Sequence, residues 1–376
     1  MERLQNRRSP HGECGLKFEN ACNRAWLQIS SGAFDYRTVL RRTVDKLAKE
    51  GIKAIVYPSG HSDTLEVAVR RAVLTGVNQT AAKLQTARMD EMGWDLVEVT
   101  AHAGARPSHA LWQGKIYSRS GKSKQYPPFS VTGYGTGAGL CGWNCRHSFY
   151  PYYEGLSIAN YSKRELERMN SKEIAYNGQK MTHYEASQVQ RYLERGIRKW
   201  KRVYLAESAA GLGTTKASIK LAQWRARQRD FLDKTGLFED NIRHRVSGFG
   251  HRQAAKARKE FEKLLLPNFR KAILPIEKFT KYALDLEHPF GKDKAIAFQK
   301  ALGYNKSNAD ELIVNIQKNL SRYPAKIKSE NPYGQLFEVS MQLEGPNGKT
   351  AWVKTGWIIR DGEKAPRLTS VYVDKR

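Results

Sequence analysis

The chain has 376 residues, 40% of them hydrophobic, and its 64 lysines and arginines against 37 aspartates and glutamates give a formal net charge of +27. This hydrophobic content supports a folded core and excludes general disorder, and no apolar run is long enough to span a bilayer. Four cysteines are too few for a disulfide scaffold in a chain of this length. The charge predicts a polyanionic partner, either nucleic acid or an acidic protein surface.

The first 160 residues divide into helices, short strands and a long loop. Apolar residues at spacings of three and four predict a helix over residues 35–50 and one long helix, or two, over residues 62–92. Short apolar or alternating runs predict strands over residues 52–57 and 94–100. Residues 101–160 are predicted to be mostly loop with short strands, and a loop of that length is usually functional or pinned by some other group.

Within that loop, the segment from Thr132 to His147 cannot form a helix or a central strand. Five glycines fall within a run of ten residues, and glycine has the most conformational entropy to lose in a regular element. The run ends in Cys141, Cys145, Arg146 and His147. Cysteine and histidine are the residue types that bind soft metals or carry out thiol chemistry.

The Cys-x3-Cys spacing suggests a zinc site. We expect Cys141, Cys145, His109 and His147 as its ligands, with His102 also within reach along the chain. One alternative is that the two cysteines are small, buried and inert, because Cys-x2-Cys is the commoner pairing. A second alternative is a nucleophile–base pair of Cys145 and His109. A reducing cytoplasm disfavours a disulfide.

Three short elements carry a family resemblance. Arg106-Pro107-Ser108-His109, Gly114-Lys115 and Asn144-Cys145-Arg146 resemble the Arg-Pro-x-His, Gly-Lys and closing Asn-Cys-Arg elements of tailed-phage minor capsid proteins related to the Mu F head-morphogenesis family. The resemblance covers roughly residues 15 to 250. It implies a structural component of the phage head, located in the virion, with phage capsid or portal proteins as partners.

The N-terminus and the helical region that follows the loop bear on location and on the polyanionic partner. Residues 1–8 are polar and lack the apolar core of a signal peptide, which predicts synthesis in the cytoplasm.

Residues 160–235 return to helical periodicity, with basic residues around apolar stripes. We expect phosphate contacts, without sequence preference, from Arg191, Arg195, Arg198, Lys199, Lys201, Arg202, Arg225 and Arg227. The alternative is that these side chains lie on solvated helix faces, where their stems cover apolar surface.

The remainder of the chain predicts a charged helical linker over residues 251–278 and a small domain over residues 279–376, after a first domain of residues 1–250. Two helices around Gly303 precede three strands, and the turn Gly345-Pro346-Asn347-Gly348 joins the first two. The predicted fold class is α+β: a helix-rich N-terminal body with short strands and a long glycine-rich loop, plus a small C-terminal α+β domain with an antiparallel sheet.

The C-terminal segment resembles a small domain found at the C-termini of bacterial polymorphic toxins and of some phage head proteins. Leu286-Glu287-His288-Pro289, Gly345–Lys349 and Gly356–Ile359 are among the residues that carry this resemblance. Its layout, helices and then an antiparallel sheet, is similar to that of small metal-independent toxin ribonucleases. The resemblance therefore implies an effector domain delivered with the phage genome.

The residue types in this segment permit RNA cleavage, which needs an acid, a base and cations for the phosphate. The candidates are His288 as acid or base, Lys292, Lys354 and Arg367 as phosphate ligands, and Thr355, Thr369 and Tyr372 as positioning groups. In the alternative interpretation His288 caps a helix and the strand polar groups face solvent. The domain is then a non-catalytic interaction module.

Overall fold

A computed structural model of the chain describes residues 12–57 and 59–374, with side chains from residue 15 onwards. The prediction made for the polar residues 1–8 lies outside this range. The described chain forms two compact units, one ending at Ser171 and one beginning at Lys172. Within the described residues, no helix combines the length and the apolar character needed to cross a membrane.

The first unit begins with three helices and a small hairpin. Its helices are α1 (Gly12–Ser30), α2 (Tyr36–Lys49) and α3 (Leu65–Glu91), and strands β1 (Ala54–Val56) and β2 (Ser62–Thr64) pair antiparallel between the second and the third. Helix α2 starts where the Asp35 carboxylate accepts hydrogen bonds from the backbone N–H groups of Arg37 and Thr38. The helices predicted over residues 35–50 and 62–92 are confirmed, the latter as a single helix.

A three-stranded antiparallel sheet places the motif region of the first unit. Strand β3 (Leu96–Val99) lies at its centre, between β4 (Ile116–Ser118) and β5 (Phe149–Pro151). The short helix α4 (Pro107–Ala110) lies between β3 and β4, and the glycine-rich segment lies between β4 and β5. Because both outer strands pair with β3, the sheet brings the two halves of the motif region to the same place. Helix α5 (Lys163–Met169) completes the unit.

The second unit opens with a hairpin that the sequence analysis missed. Strands β6 (Ile174–Tyr176) and β7 (Gln179–Met181) pair antiparallel. Their two-residue loop is Asn177-Gly178, and both residues have positive φ values, 50° and 74°. Asn-Gly at positive φ is the strongest short-range hairpin signal, so the sequence did contain the information.

Two long helices then cross closely. They are α6 (His183–Ala209) and α7 (Thr215–Thr235), and Thr182 caps the first in a reciprocal arrangement with Glu185. At the crossing, Gly196 lies directly against the indole ring of Trp224: a Cβ built on Gly196 would lie 2.2 Å from a ring carbon. The helices can approach this closely only because position 196 has no side chain.

The segment predicted as a charged linker is packed along its length. Helix α8 (His251–Glu262) buries Ala257 and Phe261, and Ala257 packs in the core of α6 and α7. Beyond it, the carbonyl of Leu264 accepts a hydrogen bond from the N–H of Ala325, and Ile273 bridges to Arg367. These contacts describe packing and do not test where domains begin, so the boundaries at 250 and 278 stay predictions.

The C-terminal region is the predicted helix pair and antiparallel sheet. Its elements are α9 (Lys292–Leu302), α10 (Ala309–Leu320), β8 (Ala325–Asn331), β9 (Gly334–Glu344), β10 (Thr350–Arg360) and β11 (Arg367–Val373). The sheet is a four-stranded meander in the order β8-β9-β10-β11, with all pairs antiparallel. Strand β8 was not predicted, because most of its side chains are exposed and its sequence has no apolar alternation. The α+β fold class is confirmed.

This region has a hydrophobic core of its own. The core centres on Trp357 and Phe298 and includes residues from Leu266 to Val371, with partly buried residues from 269 to 373 packed around it. All the residues of this core therefore come from the last third of the chain.

The close crossing of α6 and α7 gives a prediction about stability. We expect Gly196→Ala to lower the free energy of unfolding by about 1–3 kcal/mol, the usual cost of overpacking, although alanine favours a helix over glycine. Gly213→Ala is the matched control, since a Cβ at Gly213 meets no atom within 4 Å. Denaturant unfolding of both variants measures the effect. Equal stability of the two variants would contradict the close approach.

Candidate functional site

The three motif elements of the first unit meet at one corner of the fold. Arg106 precedes α4, and its guanidinium donates a hydrogen bond to the carbonyl of Trp143 in the glycine-rich segment. His109, on α4, is buried, and its Nε2 donates to the carbonyl of Ala138 at 2.8 Å. Both side chains of the Arg-Pro-x-His element therefore hold the backbone of the glycine-rich segment.

The glycines of this segment are required because its backbone folds against itself. A Cβ on Gly139 would lie 2.0 Å from the carbonyl oxygen of Gly133, and a Cβ on Gly142 would lie 2.5 Å from that of Gly137. Two other residues, Cys141 and Asn144, take positive φ values of 57° and 55°. Asparagine tolerates this left-handed conformation better than most residues, which gives Asn144 a structural reason to be there.

The Gly-Lys element lies on the same corner. Gly114 has a φ of 66°, and a Cβ at this position would lie 2.5 Å from a methyl carbon of Leu166. The exposed Lys115 donates from Nζ to the carbonyl of Leu111 at 2.7 Å. The exposed Arg146 completes the closing element. The motif residues thus build one junction.

Three of the four predicted metal ligands come together at the centre of this junction. The ligand atoms of His109, Cys145 and His147 all lie within 4.8 Å of one another. The two Nδ1 atoms are 3.4 Å apart, and Cys145 Sγ lies 3.8 Å from His109 Nδ1 and 3.5 Å from His147 Nδ1. Both histidines are almost fully buried.

The other two candidates for this site are placed differently. Cys141 is buried, and its Sγ contacts the carbonyl of His147 at 3.6 Å rather than joining the three-residue group. His102 stacks on the ring of His147 with centroids 4.4 Å apart, and its Nδ1 lies 3.1 Å from the carbonyl oxygen of Ala103. The structure therefore brings together three of the four predicted ligands.

The outer nitrogens of both histidines are engaged. Gln113 Oε1 accepts a hydrogen bond from the backbone N–H of His102 at 3.1 Å, which fixes the orientation of its amide. The same oxygen lies 2.9 Å from His147 Nε2, so that nitrogen carries a proton and donates it. The Ala138 carbonyl plays the same part for His109 Nε2. In their neutral forms both rings therefore direct Nδ1 lone pairs into the group.

Burial shapes the titration of this group. It lowers the pKa of His147 to about 3, with further contributions from His102, His109 and Arg106, and it raises the pKa of the Cys145 thiol. A nucleophilic cysteine needs a lowered pKa. The raised pKa of Cys145 thus disfavours the nucleophile–base pair with His109.

Sequence reasoning missed two residues of this junction. Gln113 orients His147, and Asn78 on α3 donates from Nδ2 to the carbonyls of Cys145 and His147 at 3.4 and 3.3 Å. Gln113 directly precedes the Gly-Lys element, so its position in the sequence was a signal that could have identified it. Asn78 is a single polar residue within a long helix, and nothing in its local pattern indicates a distant backbone partner.

The basic residues of α6 and α7 have two different roles in the structure. Lys201 is 7% exposed, and its Nζ donates to the carbonyl of His244 at 2.7 Å. The guanidinium of Arg198 donates to the carbonyl of Arg243. Burial lowers the pKa of Lys201 to about 8, with the charges of Arg225 and Arg198 adding to the effect. These cations hold the loop that follows α7, which corrects the expectation that Lys201 contacts phosphate.

The other residues that were predicted to contact phosphate are more accessible to solvent than Lys201. Arg195 and Lys199 are exposed on α6, one helical turn apart, and Arg202 continues the same line. Arg191, Arg202 and Arg225 are half-buried. The exposed Arg227 stacks over Trp224 with its Cζ 5.6 Å from the ring centroid, and it donates to Gln342 Oε1 at 3.3 Å.

The predicted catalytic residues of the C-terminal domain make separate contacts. His288 Nδ1 accepts hydrogen bonds from the N–H groups of Phe290 and Gly291, as in the capping alternative. Lys354 pairs with Asp374 at 3.5 Å. Within the described part of the chain, no side-chain hydrogen bond joins any two of the six candidates. They are His288, Lys292, Lys354, Thr355, Arg367 and Thr369.

Thr355 requires a correction. Its side chain is fully buried, and its Oγ1 donates to the carbonyl of Val339 at 3.0 Å while accepting from Trp357 Nε1 at 2.8 Å. The hydroxyl therefore satisfies the buried indole and cannot reach a substrate. Lys292 and Thr369 are exposed, and Arg367 is half-buried with no hydrogen-bond partner at Nε.

Comparison with known proteins covers both regions. The model of the phage minor capsid protein 2 family matches residues 15–233, and a domain of unknown function (DUF6883) matches residues 265–375. A structural protein of Lactococcus phage LL-H is 28% identical over 209 residues, which cover 54% of this chain and 53% of that protein. A structural protein of Lactococcus phage mv4 is 40% identical over 96 residues, 26% of this chain and 68% of that protein. No solved structure matches the chain significantly.

The motif residues of the first unit bind backbone carbonyls of the glycine-rich segment. The chain belongs to the phage minor capsid protein 2 family, whose model covers more than half of it. This membership confirms the minor capsid identity and supports the virion as its location. The chain spans about half the length of the LL-H protein.

The loop held by Lys201 gives a prediction about pH. Burial, together with the charges of Lys201, Arg225 and Arg198, lowers the pKa of His244 to about 4. An unfolded histidine titrates near 6.5, so the unfolded state binds more protons between pH 6.5 and 4. Stability is therefore lost as pH falls through that window, by up to about 1.4 kcal/mol per pH unit for this group.

Denaturant unfolding at pH 7, 5.5 and 4.5 measures this loss. His244→Gln should reduce the slope of stability against pH, while His251→Gln, at an exposed position, should leave it unchanged. The same slope in wild type and in His244→Gln would show that this histidine is not held neutral by the fold.

Proposed function

We propose that this minor capsid protein contacts packaged DNA inside the phage head through a basic surface on α6. We define this surface by Arg195, Lys199 and Arg202. The observation that carries the proposal is that Arg195 and Lys199 remain exposed on a helix where two other cations, Lys201 and Arg198, hold backbone carbonyls of the following loop.

The spacing along α6 supports a phosphate contact. Positions 195, 199 and 202 follow the i, i+4, i+7 pattern, which places three cations along one face of a helix. Flexible cations on such a face neutralise phosphates without reading bases. The net charge of +27 adds a long-range attraction toward any polyanion. Binding of this kind is strong at low salt and independent of sequence.

The proposal predicts salt-sensitive DNA binding by the full chain. Affinity for duplexes of unrelated sequence should be equal and should fall steeply with salt, because each neutralised phosphate releases counterions. Arg195→Gln/Lys199→Gln should weaken binding and flatten the plot of log K against log salt by about 1.8, the value for two phosphate contacts. Fluorescence anisotropy at several salt concentrations measures both quantities.

The control removes two exposed lysines elsewhere. Lys318→Gln/Lys326→Gln makes the same change in net charge at exposed positions of the C-terminal domain. It should leave the slope close to that of wild type. If both double variants change the slope equally, net charge rather than the α6 surface accounts for binding, and if salt has no effect on wild type, there is no phosphate contact.

A second candidate function concerns the C-terminal domain, which we propose is an effector that cleaves RNA after entering the host with the phage genome. The observation that favours it is the separate hydrophobic core, drawn from residues 266–373 alone. A domain with its own core can act independently of the capsid. The order of helices and antiparallel strands also agrees with the toxin-like layout that the resemblance implies.

The candidate residues around α9 and β11 define what such an activity has to use. His288 and Lys292 lie at the start of α9, while Arg367 and Thr369 lie on the edge strand β11. His288 offers its second ring nitrogen for proton transfer, because Nδ1 accepts backbone N–H groups. Lys354 and Arg367 supply the cations. Thr355 is excluded by its burial.

Expression of residues 263–376 alone in a bacterium tests this second function. We expect growth arrest with cleaved RNA. His288→Asn should relieve the arrest, because asparagine keeps an acceptor for the cap and cannot transfer a proton, and Arg367→Ala should relieve it too. Lys364→Ala, at an exposed position, should remain toxic. Normal growth with intact RNA, from a fragment shown by circular dichroism to be folded, would make the domain a non-catalytic interaction module.

A further inference from the structure

We propose that His109, Cys145 and His147 bind a zinc ion that fastens the glycine-rich segment to α4. The ligand atoms are His109 Nδ1, His147 Nδ1 and Cys145 Sγ. This proposal is independent of the DNA-contact and effector proposals, because it concerns the internal junction of the first unit.

The distances among the three atoms match the face of a zinc tetrahedron. With Zn–N bonds of about 2.0–2.1 Å and a Zn–S bond of about 2.3 Å, tetrahedral angles require an N···N edge of about 3.3 Å and N···S edges of about 3.6 Å. The observed edges are 3.4 Å between the nitrogens and 3.5 and 3.8 Å from each nitrogen to sulfur. One ion can therefore contact all three atoms without rearrangement of the backbone.

The hydrogen bonds around the group orient its two histidine rings in the way that is typical of metal-binding histidines. A histidine that binds a metal usually donates its other ring N–H to a carbonyl or carboxylate, which fixes the tautomer. Here His109 Nε2 donates to the Ala138 carbonyl and His147 Nε2 donates to Gln113 Oε1. Both partners lie on the side of the ring away from the three-atom face, so each Nδ1 lone pair is left for the ion.

Without an ion, the hydrogen bonds in this buried group cannot all be made. Two Nδ1 lone pairs face each other at 3.4 Å, and the Cys145 thiol has one proton to donate. One buried acceptor is then left without a donor, which costs about 1–3 kcal/mol. A divalent cation satisfies both nitrogens and the sulfur at once. On binding, the thiol proton leaves to solvent and the thiolate becomes the ligand.

The donor set selects the metal. Two imidazoles and one thiolate suit zinc, whereas calcium and magnesium require oxygen ligands. Three protein ligands leave a fourth coordination position for a water molecule. Cys141 lies outside the set, because the ligand atoms that lie within 4.8 Å of one another are those of His109, Cys145 and His147. This assignment revises the four-residue set expected from the sequence.

The ion would join two parts of the junction that are distant along the chain. His109 lies on α4, while Cys145 and His147 close the glycine-rich segment before β5. Glycine-rich backbone has high entropy when unfolded, and few side chains of the segment are available to anchor it. A metal bound only by the folded form stabilises that form by mass action.

Metal analysis of the purified full-length chain tests the proposal. After removal of metal with EDTA and reconstitution with zinc, we expect one zinc per chain, and the Tm should fall with chelator and recover with zinc. Cys145→Ser and His147→Asn should each lose the ion. Cys22→Ser should retain it, because Cys22 lies on α1 outside the group, and Cys141→Ser should retain it too. Loss of zinc from Cys141→Ser would overturn the three-residue assignment.

Two further measurements use the wild-type chain, so they do not require that a variant folds correctly. Cobalt bound in place of zinc should show a thiolate-to-metal charge-transfer band and the visible spectrum of a tetrahedral site. Alkylation followed by mass spectrometry should find Cys145 unmodified in the zinc-bound protein and alkylated after EDTA has removed the zinc. Absence of stoichiometric metal, cobalt without the thiolate band, or Cys145 equally reactive in both states would each overturn the proposal.

Discussion

The hydrogen bond from His109 to the Ala138 carbonyl is the constraint on which the first unit's motif region depends. It joins a side chain of α4 to the middle of a segment that has neither helix nor strand geometry. Arg106 makes the parallel contact to Trp143, and Asn78 holds the far end. A glycine-rich backbone has many unfolded conformations, so several fixed donors are needed to hold it in one. Two of these donors, Arg106 and His109, belong to the Arg-Pro-x-His element of the family motif.

Part of this architecture could be read from the sequence. The long helices were predictable because their apolar residues repeat at helical spacing, as in α2 and α3. Strand β8 was not, because its stability comes from pairing with β9 while most of its side chains stay in solvent. The β6–β7 hairpin had a local signal in Asn177-Gly178 that was overlooked amid helical neighbours.

The candidate site shows a different limit of sequence reasoning. Residue types and spacing indicated a cysteine–histidine group, and three of the four expected members do converge. Excluding Cys141 required the positions of the ligand atoms, since only those of the other three residues converge. Lys201 is a similar case, because its sequence neighbours do not reveal that a distant loop covers it. In both cases the decisive information is a tertiary contact, and neither amino-acid composition nor hydrophobic periodicity predicts such a contact.

The separate core of the C-terminal region has a consequence for how such genes change. Helix α8 ends at Glu262, and the core begins at Leu266. The described side-chain contacts back to α7 include exposed polar ones, such as Lys234 with Glu344 and Arg227 with Gln342, and pairs of that kind contribute little free energy. A genetic crossover within the few codons between α8 and the core would carry the whole of this core and leave in place residues 15–233, which the minor capsid family model matches.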